Sequence, residues 1–443
     1  MFYRFRRLAV FFVSLVVLYA NGLSADTINV PVEQPTIQGA IDAASNGDEV
    51  VVAPGTYIET INFNGKAITL RSSSDNPADT IIDANGSGSV VTCKNGETAA
   101  TILQGFTLTG GNSSAGGGMF NYQASPTVTH CIFSGNTADH GGGMFNYTNS
   151  NPTVTNCTFS GNTVESAGGG GMANWTSNPT VTNCTFSDNT AFVGGGMYNL
   201  YDSNLIVTNC ILWGNSATVS MVDGNEIYNE SSSPTVTYSC IEGGYAGTGN
   251  IDSDPLFVDA QNSNLHLTTG SLCIDAGNNA AIPTGIETDL DGNSRVVNTT
   301  VDMGAYEWQL PINVPADYTT IQAAIDAASN GMEIIVAPNT YNETINFNGK
   351  AITLRSSSDD PTDTIIDANG SGSVVTCNSG ETAATVLQGF TLKGGNNTSG
   401  GGMYNENSSP TVTNCTFSEN VADHGGGIAV SSSSPTIDNC NFS

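Results

Sequence analysis

The sequence predicts an all-β protein, a right-handed parallel β-helix, arranged as two tandem solenoids that each begin with a capping helix. Three observations carry this. A block reading Gly-Gly-Gly-Met, a polar turn, then Pro-Thr-Val-Thr-Asn-Cys-Thr-Phe-Ser-Gly-Asn returns every 25 to 28 residues, with Met119, Met144, Met172 and Met197 after the glycines and Cys131, Cys157, Cys184 and Cys210 in the strands. Such a period is too short for a domain and fits one turn of a stack, with small slips absorbed by turns. Within a block, apolar and polar residues alternate with period two. A larger repeat lies above the coils: Ile28-Asn29-Val30-Pro31 returns as Ile312-Asn313-Val314-Pro315, and residues 67–112 match residues 351–396 at 40 of 46 positions.

In Pro152-Thr153-Val154-Thr155-Asn156-Cys157-Thr158-Phe159, the alternation marks strands with one buried face. Val154 and Cys157 are three apart, so both point inward only if the chain bends between them. Asn156 sits at that bend and Asn162 at the next, and Asn tolerates the left-handed conformation a tight corner needs. Three short strands per coil, stacked at roughly 4.8 Å, make the predicted solenoid. Helical repeats are excluded, because no 3.6-residue stripe runs through the blocks and their Thr, Val, Gly, Asn and Ser are poor helix formers.

The exceptions stand at the two starts. Ile37, Ala40, Ile41 and Ala44 follow a helical stripe with Thr36 as N-cap and Gly47 as stop, and the stretch from Ile321 to Gly331 repeats it. An amphipathic helix ahead of Val50-Val51-Val52 is expected to cover the open end of a solenoid. The expected organisation is a leader at 1–25, a first β-helix at 26–310 with a closing segment at 251–307, and a second, apparently truncated, β-helix at 311–443.

Arg4, Arg6 and Arg7, the apolar run Leu8 to Tyr19 and small residues at Ser24-Ala25 read as a secretory signal peptide, so an extracellular or bacterial cell-surface location is expected. No later segment approaches membrane-spanning length, and no transmembrane span is expected in the mature chain. Beyond the leader, seven basic residues face 40 acidic ones, which makes nucleic acid and anionic lipid poor partners and divalent cations plausible ones. Gly supplies 51 of 443 residues and only 11% are charged, so Asn, Ser and Thr make the polar surface.

Ten cysteines in an exported chain suggest disulfides. Cys131, Cys157, Cys184, Cys210 and Cys240 are instead expected at one inward position of successive coils, where parallel Cβ vectors suit a ladder of free thiols better than a bridge. One or two bridges between neighbouring coils are the alternative.

Phe-x-x-Asn followed by a glycine run, at Phe133/Asn136, Phe159/Asn162, Phe186/Asn189 and Phe417/Asn420, resembles the repeat of chlamydial-type polymorphic outer membrane proteins. More broadly the chain resembles bacterial right-handed β-helix proteins of the pectate-lyase-like fold, which includes enzymes and non-catalytic surface proteins. The set Asp254-Pro255-Leu256-Phe257, Gly270 to Gly277, Asp289 to Asn293 and Val301 to Glu307 resembles the terminal segment of choice-of-anchor β-helix proteins. That resemblance implies a segment that closes the helix ahead of a sorting signal; here a second β-helix follows, and Ser443 falls in mid-coil.

A lyase site of this fold needs clustered carboxylates for Ca²⁺ and a nearby Arg or Lys. Past the leader the chain offers Lys66, Arg71, Lys94, Arg295, Lys350, Arg355 and Lys393, with Arg71 and Arg355 at equivalent strand positions explained by edge charge. The paired carboxylates of a glycoside hydrolase are scarce in the repeat strands, and Asp359-Asp360 reads as a turn. Asp139-His140 and Asp423-His424 could bind metal or act as a base, or lie in solvent-facing turns. Asp275, Asp289, Asp291, Asp302 and Glu307, with Arg295 among them, could bind Ca²⁺; Asp289-x-Asp291-Gly resembles a calcium loop but departs from EF-hand spacing, and an ion-pair network around Arg295 is the alternative. No residue is singled out as catalytic. Two functions follow: a secreted or surface structural and adhesive protein contacting extracellular polysaccharide or cell-surface components, or a Ca²⁺-dependent polysaccharide lyase or glycoside hydrolase acting on acidic polysaccharide.

Overall fold

The computed structural model describes residues 25–219 and 225–443. The leader expected over residues 1–25 thus lies outside the described residues, apart from Ala25. The chain is an all-β parallel solenoid of about 16 turns with few helices.

In the part before residue 245, strands stack into sheets of nine, eight, seven and five strands, and those from Ile312 onward form a separate set of six, five, four and two. The pairing is parallel and in register: Val128 sits on Val154, Val154 on Val181, and Val181 on Val207, while Phe133, Phe159 and Phe186 form a second line and Met119, Met144, Met172 and Met197 a third. These lines are the core, and every one of the residues named is fully buried. The Phe133, Phe159 and Phe186 rings lie 4.4 Å apart and within 7° of parallel. Each coil therefore repeats the contacts of its neighbour, and the burial of Val, Cys, Phe and Met inside it is the main favourable term.

The corner between the valine and phenylalanine strands is as expected. Asn156, Asn183 and Asn209 take φ of 50°, 51° and 55°, and His130 occupies the same corner at 52°. The next corner falls one residue earlier than expected. Gly161 at φ 63° and Asp188 at 56° turn the chain, which frees Asn162 for another task. A fourth strand of two residues, such as Thr163–Val164, follows in each of these coils, where three strands per coil were expected. The glycine runs then close the coil. A Cβ on Gly143 would come within 2.5 Å of the Gly171 carbonyl and 2.7 Å of the Phe159 ring, so no side chain fits between these coils.

Two lines of asparagine run inside the stack, from Asn121 and from Asn136 onward. Asn121, Asn146, Asn174 and Asn199 each donate a side-chain amide to the next, ending on Asn229. Asn136, Asn162 and Asn189 do the same toward Asn215, and each also receives the preceding backbone N–H or donates to a carbonyl of the coil before. Pairing amides in this way offsets the cost that an unpaired buried amide would carry, and only Asn121 Oδ1, at the start of the first line, is left without a partner among the amides of these two lines. The second line ends at Glu226, whose two oxygens accept the Asn215 N–H and Nδ2.

Burial pushes the Glu226 carboxyl up from the usual carboxylate range to about 8. A group raised on folding contributes stability that is present below its ordinary value and is lost as pH rises through the folded one. Glu226 is therefore expected to contribute a fall of about 2 kcal/mol in stability between pH 6 and pH 8, with Glu226→Gln making the slope shallower by that amount. Urea unfolding at stepped pH reads it directly, and equal slopes in both proteins would exclude this origin.

The helices Ile37–Ala43 (α1) and Ile321–Ala327 (α2) pack against the first strands of each strand set through Ile37, Ala40 and Ile41 and their counterparts Ile321, Ala324 and Ile325. Thr36 caps α1 as expected, accepting from Gly39 N, and Glu59 accepts the Ile37 and Gln38 N–H groups. At the other end Lys66 Nζ donates to the Ile41, Asp42 and Ala44 carbonyls at 2.7 Å, and Lys350 repeats this on α2. α1 stops at Ala43, short of Gly47. Among the described residues no helix is long and apolar enough to cross a membrane.

All ten cysteines are unbridged. Cys131, Cys157, Cys184 and Cys210 form the expected ladder, each thiol donating to a carbonyl two residues back. Cys240 is not part of it. Ser239 takes the ladder position and accepts from Cys210 N, while Cys240 registers with Ile211 and packs with Cys273 and Met303. The chain breaks from the repeat just after this point, so the thiol serves the next segment instead.

Candidate functional site

Residues 243–251 cover the last coil of the first strand set, with Tyr245 against the core and Asn250 accepting from Ser239 N and donating to the Val236 carbonyl. The segment 251–307 is the one expected from sequence to close the solenoid. It runs back along the flank instead. Its anchors are two left-handed corners and a strand beside one: Asn156 Nδ2 donates to the Thr288 carbonyl at 2.6 Å, Asn209 exchanges hydrogen bonds with Asn278, and Ala305 N donates to Oγ1 of Thr185, in the strand Thr185–Ser187. Under this cover His130 is buried, which lowers its pKa below the usual imidazole value.

The acidic residues of this segment serve it from within. Asp289 accepts the N–H groups of Asp291, Asn293 and Glu307; Asp302 accepts those of Asp275 and Trp308; Glu307 accepts those of Val297 and Asp302. Arg295, 1% exposed, pairs with Glu307 at 3.2 Å and donates to the carbonyls of Asp302, Gly304 and Ala305. Burial pushes the Asp289, Asp302 and Glu307 carboxyls above their usual range, and the Arg295 charge opposes it. Asp291 lies apart, hydrogen-bonded to His266 Nε2 at 2.5 Å, and Asp275 receives Asn298 Nδ2 at 3.2 Å. The structure thus brings Asp289, Asp302 and Glu307 around Arg295 and leaves Asp275 and Asp291 outside. Among the described residues no three His, Cys, Asp or Glu side chains converge as a metal shell. Their oxygens are directed at backbone N–H groups, a pattern that shapes loops.

The other sequence candidates are dispersed. Arg71 and Arg355 pair with Glu49 and Glu333, Asp359 turns the chain at φ 56°, and Asp423 and His424 are exposed. His140 is different. It lies 5.5 Å from the Phe145 ring and 5.9 Å from Trp175.

That ring belongs to a face not foreseen from the sequence. In the strands Met119–Tyr122, Met144–Tyr147, Met172–Trp175, Met197–Leu200 and Ile227–Glu230, Met and Asn point in, so the alternate residues point out. The registers place Phe120 on Phe145, Tyr122 on Tyr147, Tyr147 on Trp175, and Tyr198 on Tyr228. Tyr122, Tyr147, Trp175 and Tyr201 follow one another at centroid spacings of 5.6, 5.5 and 5.3 Å, and Phe120–Phe145 and Tyr198–Tyr228 run beside them at 5.9 and 5.7 Å. Several are tilted or edge-on; Tyr201 is 48% exposed, Phe120, Tyr122, Tyr147, Trp175, Tyr198 and Tyr228 are half-buried, and Phe145 is buried. A groove of about 680 Å³ lined by Tyr228, Asn229, Ser232, Ser233 and Tyr245 extends the strip. Burial and, after it, the neighbouring Glu230 push the Tyr198 phenol up to about 12. The signal was present as alternation in Met-Phe-Asn-Tyr and Met-Ala-Asn-Trp, but the alignment of rings across coils requires the register.

A family model described as "Right handed beta helix region" matches residues 56–229 and 157–282. No curated protein matches the chain. Among solved structures, the PL6 family alginate lyase AlyGC is 11% identical with a TM-score of 0.25, covering 94% of this chain and 80% of its own. The pectate lyase Pel9A is 14% identical with a TM-score of 0.33, covering 65% of this chain and 98% of its own. Likenesses this distant carry no argument about chemistry.

Proposed function

The chain belongs to the right-handed β-helix family, and from that premise we propose that it is a secreted or cell-surface structural and adhesive protein that holds glycan along its aromatic strip. The reading takes residues 1–25 as leader, 26–310 and 311–443 as two tandem solenoids capped by α1 and α2, and the flank segment as the counterpart of the choice-of-anchor terminal segment. One observation carries it: the line of aromatic side chains from Tyr122 through Tyr147 and Trp175 to Tyr201, on the outside of a rigid sheet. Aromatic rings give large contact area at little conformational cost, and tyrosine adds a hydroxyl for hydrogen bonding, which suits the apolar C–H faces and hydroxyl edges of sugars. Rigidity matters because binding then orders only the ligand.

The test is retention on insoluble polysaccharides and titration with soluble oligosaccharides, followed by tryptophan fluorescence. Trp175→Ala is expected to weaken binding by about tenfold with the fold intact by circular dichroism. Robust release of unsaturated or reducing ends from polygalacturonate or alginate with Ca²⁺ would overturn the structural reading in favour of a lyase or hydrolase.

A further inference from the structure

We infer that the aromatic strip selects a cationic amino-sugar polymer, a glucosamine-rich chain with free amines; this rests on the glycan-binding reading above. Charge points to it. No Lys or Arg occurs between Lys94 and Arg295; the exposed Lys94 stands beyond the Tyr122 end of the strip, one residue past Cys93, which registers with Asn121, and from Tyr147 to Tyr228 the strip's own coils offer a uronate chain no Lys or Arg. Carboxylates are placed among the rings instead. Glu230 is exposed, stands two residues from Tyr228 on the same outward phase, and accepts the Tyr198 hydroxyl at 3.3 Å. Asp202 is exposed beside Tyr201, in a left-handed corner at φ 60° that fixes its place relative to the ring. The second strand set repeats the pair outward as Tyr404 and Glu406 on the strand that corresponds to Met119–Tyr122.

An ammonium over a tyrosine or tryptophan face gains from the ring quadrupole, and it gains again from a carboxylate within reach. The sugar ring to which the ammonium is attached supplies the C–H face that stacks. Spacing favours a polymer of flat units over a lysine-rich peptide. The rings recur with the coil, at centroid separations of 5.3 to 5.9 Å, close to the repeat of an extended hexose chain laid along the solenoid axis, whereas peptide amines sit at the ends of flexible stems that pay rotamer entropy to line up. The acidic excess of the protein also draws polycations from a distance.

The experiment is calorimetric titration of the full chain with four probes: the glucosamine hexamer, the N-acetylglucosamine hexamer, an oligogalacturonate and hexalysine, each at low and high salt. The glucosamine hexamer is expected to bind at least about tenfold more tightly than its acetylated form and to lose that advantage at high salt, where exposed charges are screened. The pair Asp202→Asn with Glu230→Gln is expected to erase the preference, bringing the affinity for the glucosamine hexamer down to that for its acetylated form, and Trp175→Ala to weaken both sugars. Equal, salt-independent binding of the two hexamers would overturn the amine selection and leave the glycan reading standing. Hexalysine binding as tightly as the glucosamine hexamer would overturn it as well, since charge alone would then suffice. Binding of none of the sugars would overturn both.

Discussion

Replacing Arg295 with alanine is expected to destabilise the protein by about 3–5 kcal/mol and to release the flank segment from the solenoid. The guanidinium is the positive charge buried among Asp289, Asp302 and Glu307, and its removal leaves those carboxyls out of water without it. Three carbonyls, those of Asp302, Gly304 and Ala305, lose their donor in the same step. Asn156, Asn209 and Thr185 are the solenoid's share of the docking surface, so the loss propagates there. Hydrogen exchange over residues 271–307 should rise by orders of magnitude while the coils stay protected, and the His130 pKa should return toward its ordinary value as burial is relieved. A loss below about 1 kcal/mol in urea unfolding would show that the network around Arg295 is dispensable.

Asn162→Ala is the second large effect, expected at about 3–4 kcal/mol. The side chain accepts from the Asn136 N–H and Nδ2 and donates to the Phe133 carbonyl and to Asn189 Oδ1. Alanine leaves the Asn136 N–H buried without its acceptor, at about 1–3 kcal/mol, takes an acceptor from the Asn136 amide and a donor from the Phe133 carbonyl, and cuts the line of amides in two. Coils touch only their neighbours, so exchange protection is expected to fall around residues 133–189 and to stay unchanged at 321–417. Uniform loss along the chain would argue against this local origin.

The coil itself was legible in the sequence because repetition and alternation are local. A residue repeated every 25 to 28 positions must stack on its own copy, and that requirement is enough to place Val154, Cys157 and Phe159 in the core. The helix at Ile37 was legible for the same reason, its stripe and its Thr36 cap lying within one short window. Two-residue strands such as Thr163–Val164 carry too few positions to show alternation, and so the fourth strand was missed. Asn162 suggested a corner because asparagine favours corners, whereas its neighbour Gly161 turns the chain. Cys240 looked like a fifth ladder residue on spacing alone, and only the pairing with Ile211 moved it out of the ladder.

Sites were far less legible than scaffold. The carboxylates from Asp275 to Glu307 form a cluster in sequence, but whether such oxygens face a cation or backbone N–H groups depends on loop geometry that composition does not encode. The aromatic strip needed register, since Tyr147 and Trp175 are 28 residues apart and become neighbours only when coils align.

What the sequence determined by itself was the unit and its inward face, because short-period alternation and fixed repetition admit one way to bury apolar residues. What tertiary structure alone decided was everything that joins units or departs from them: the lines of asparagine, the flank segment docked on left-handed corners, the burial of Arg295, and the outward alignment of rings. These arise from contacts between residues distant in sequence, and their energies depend on a register that no single coil specifies.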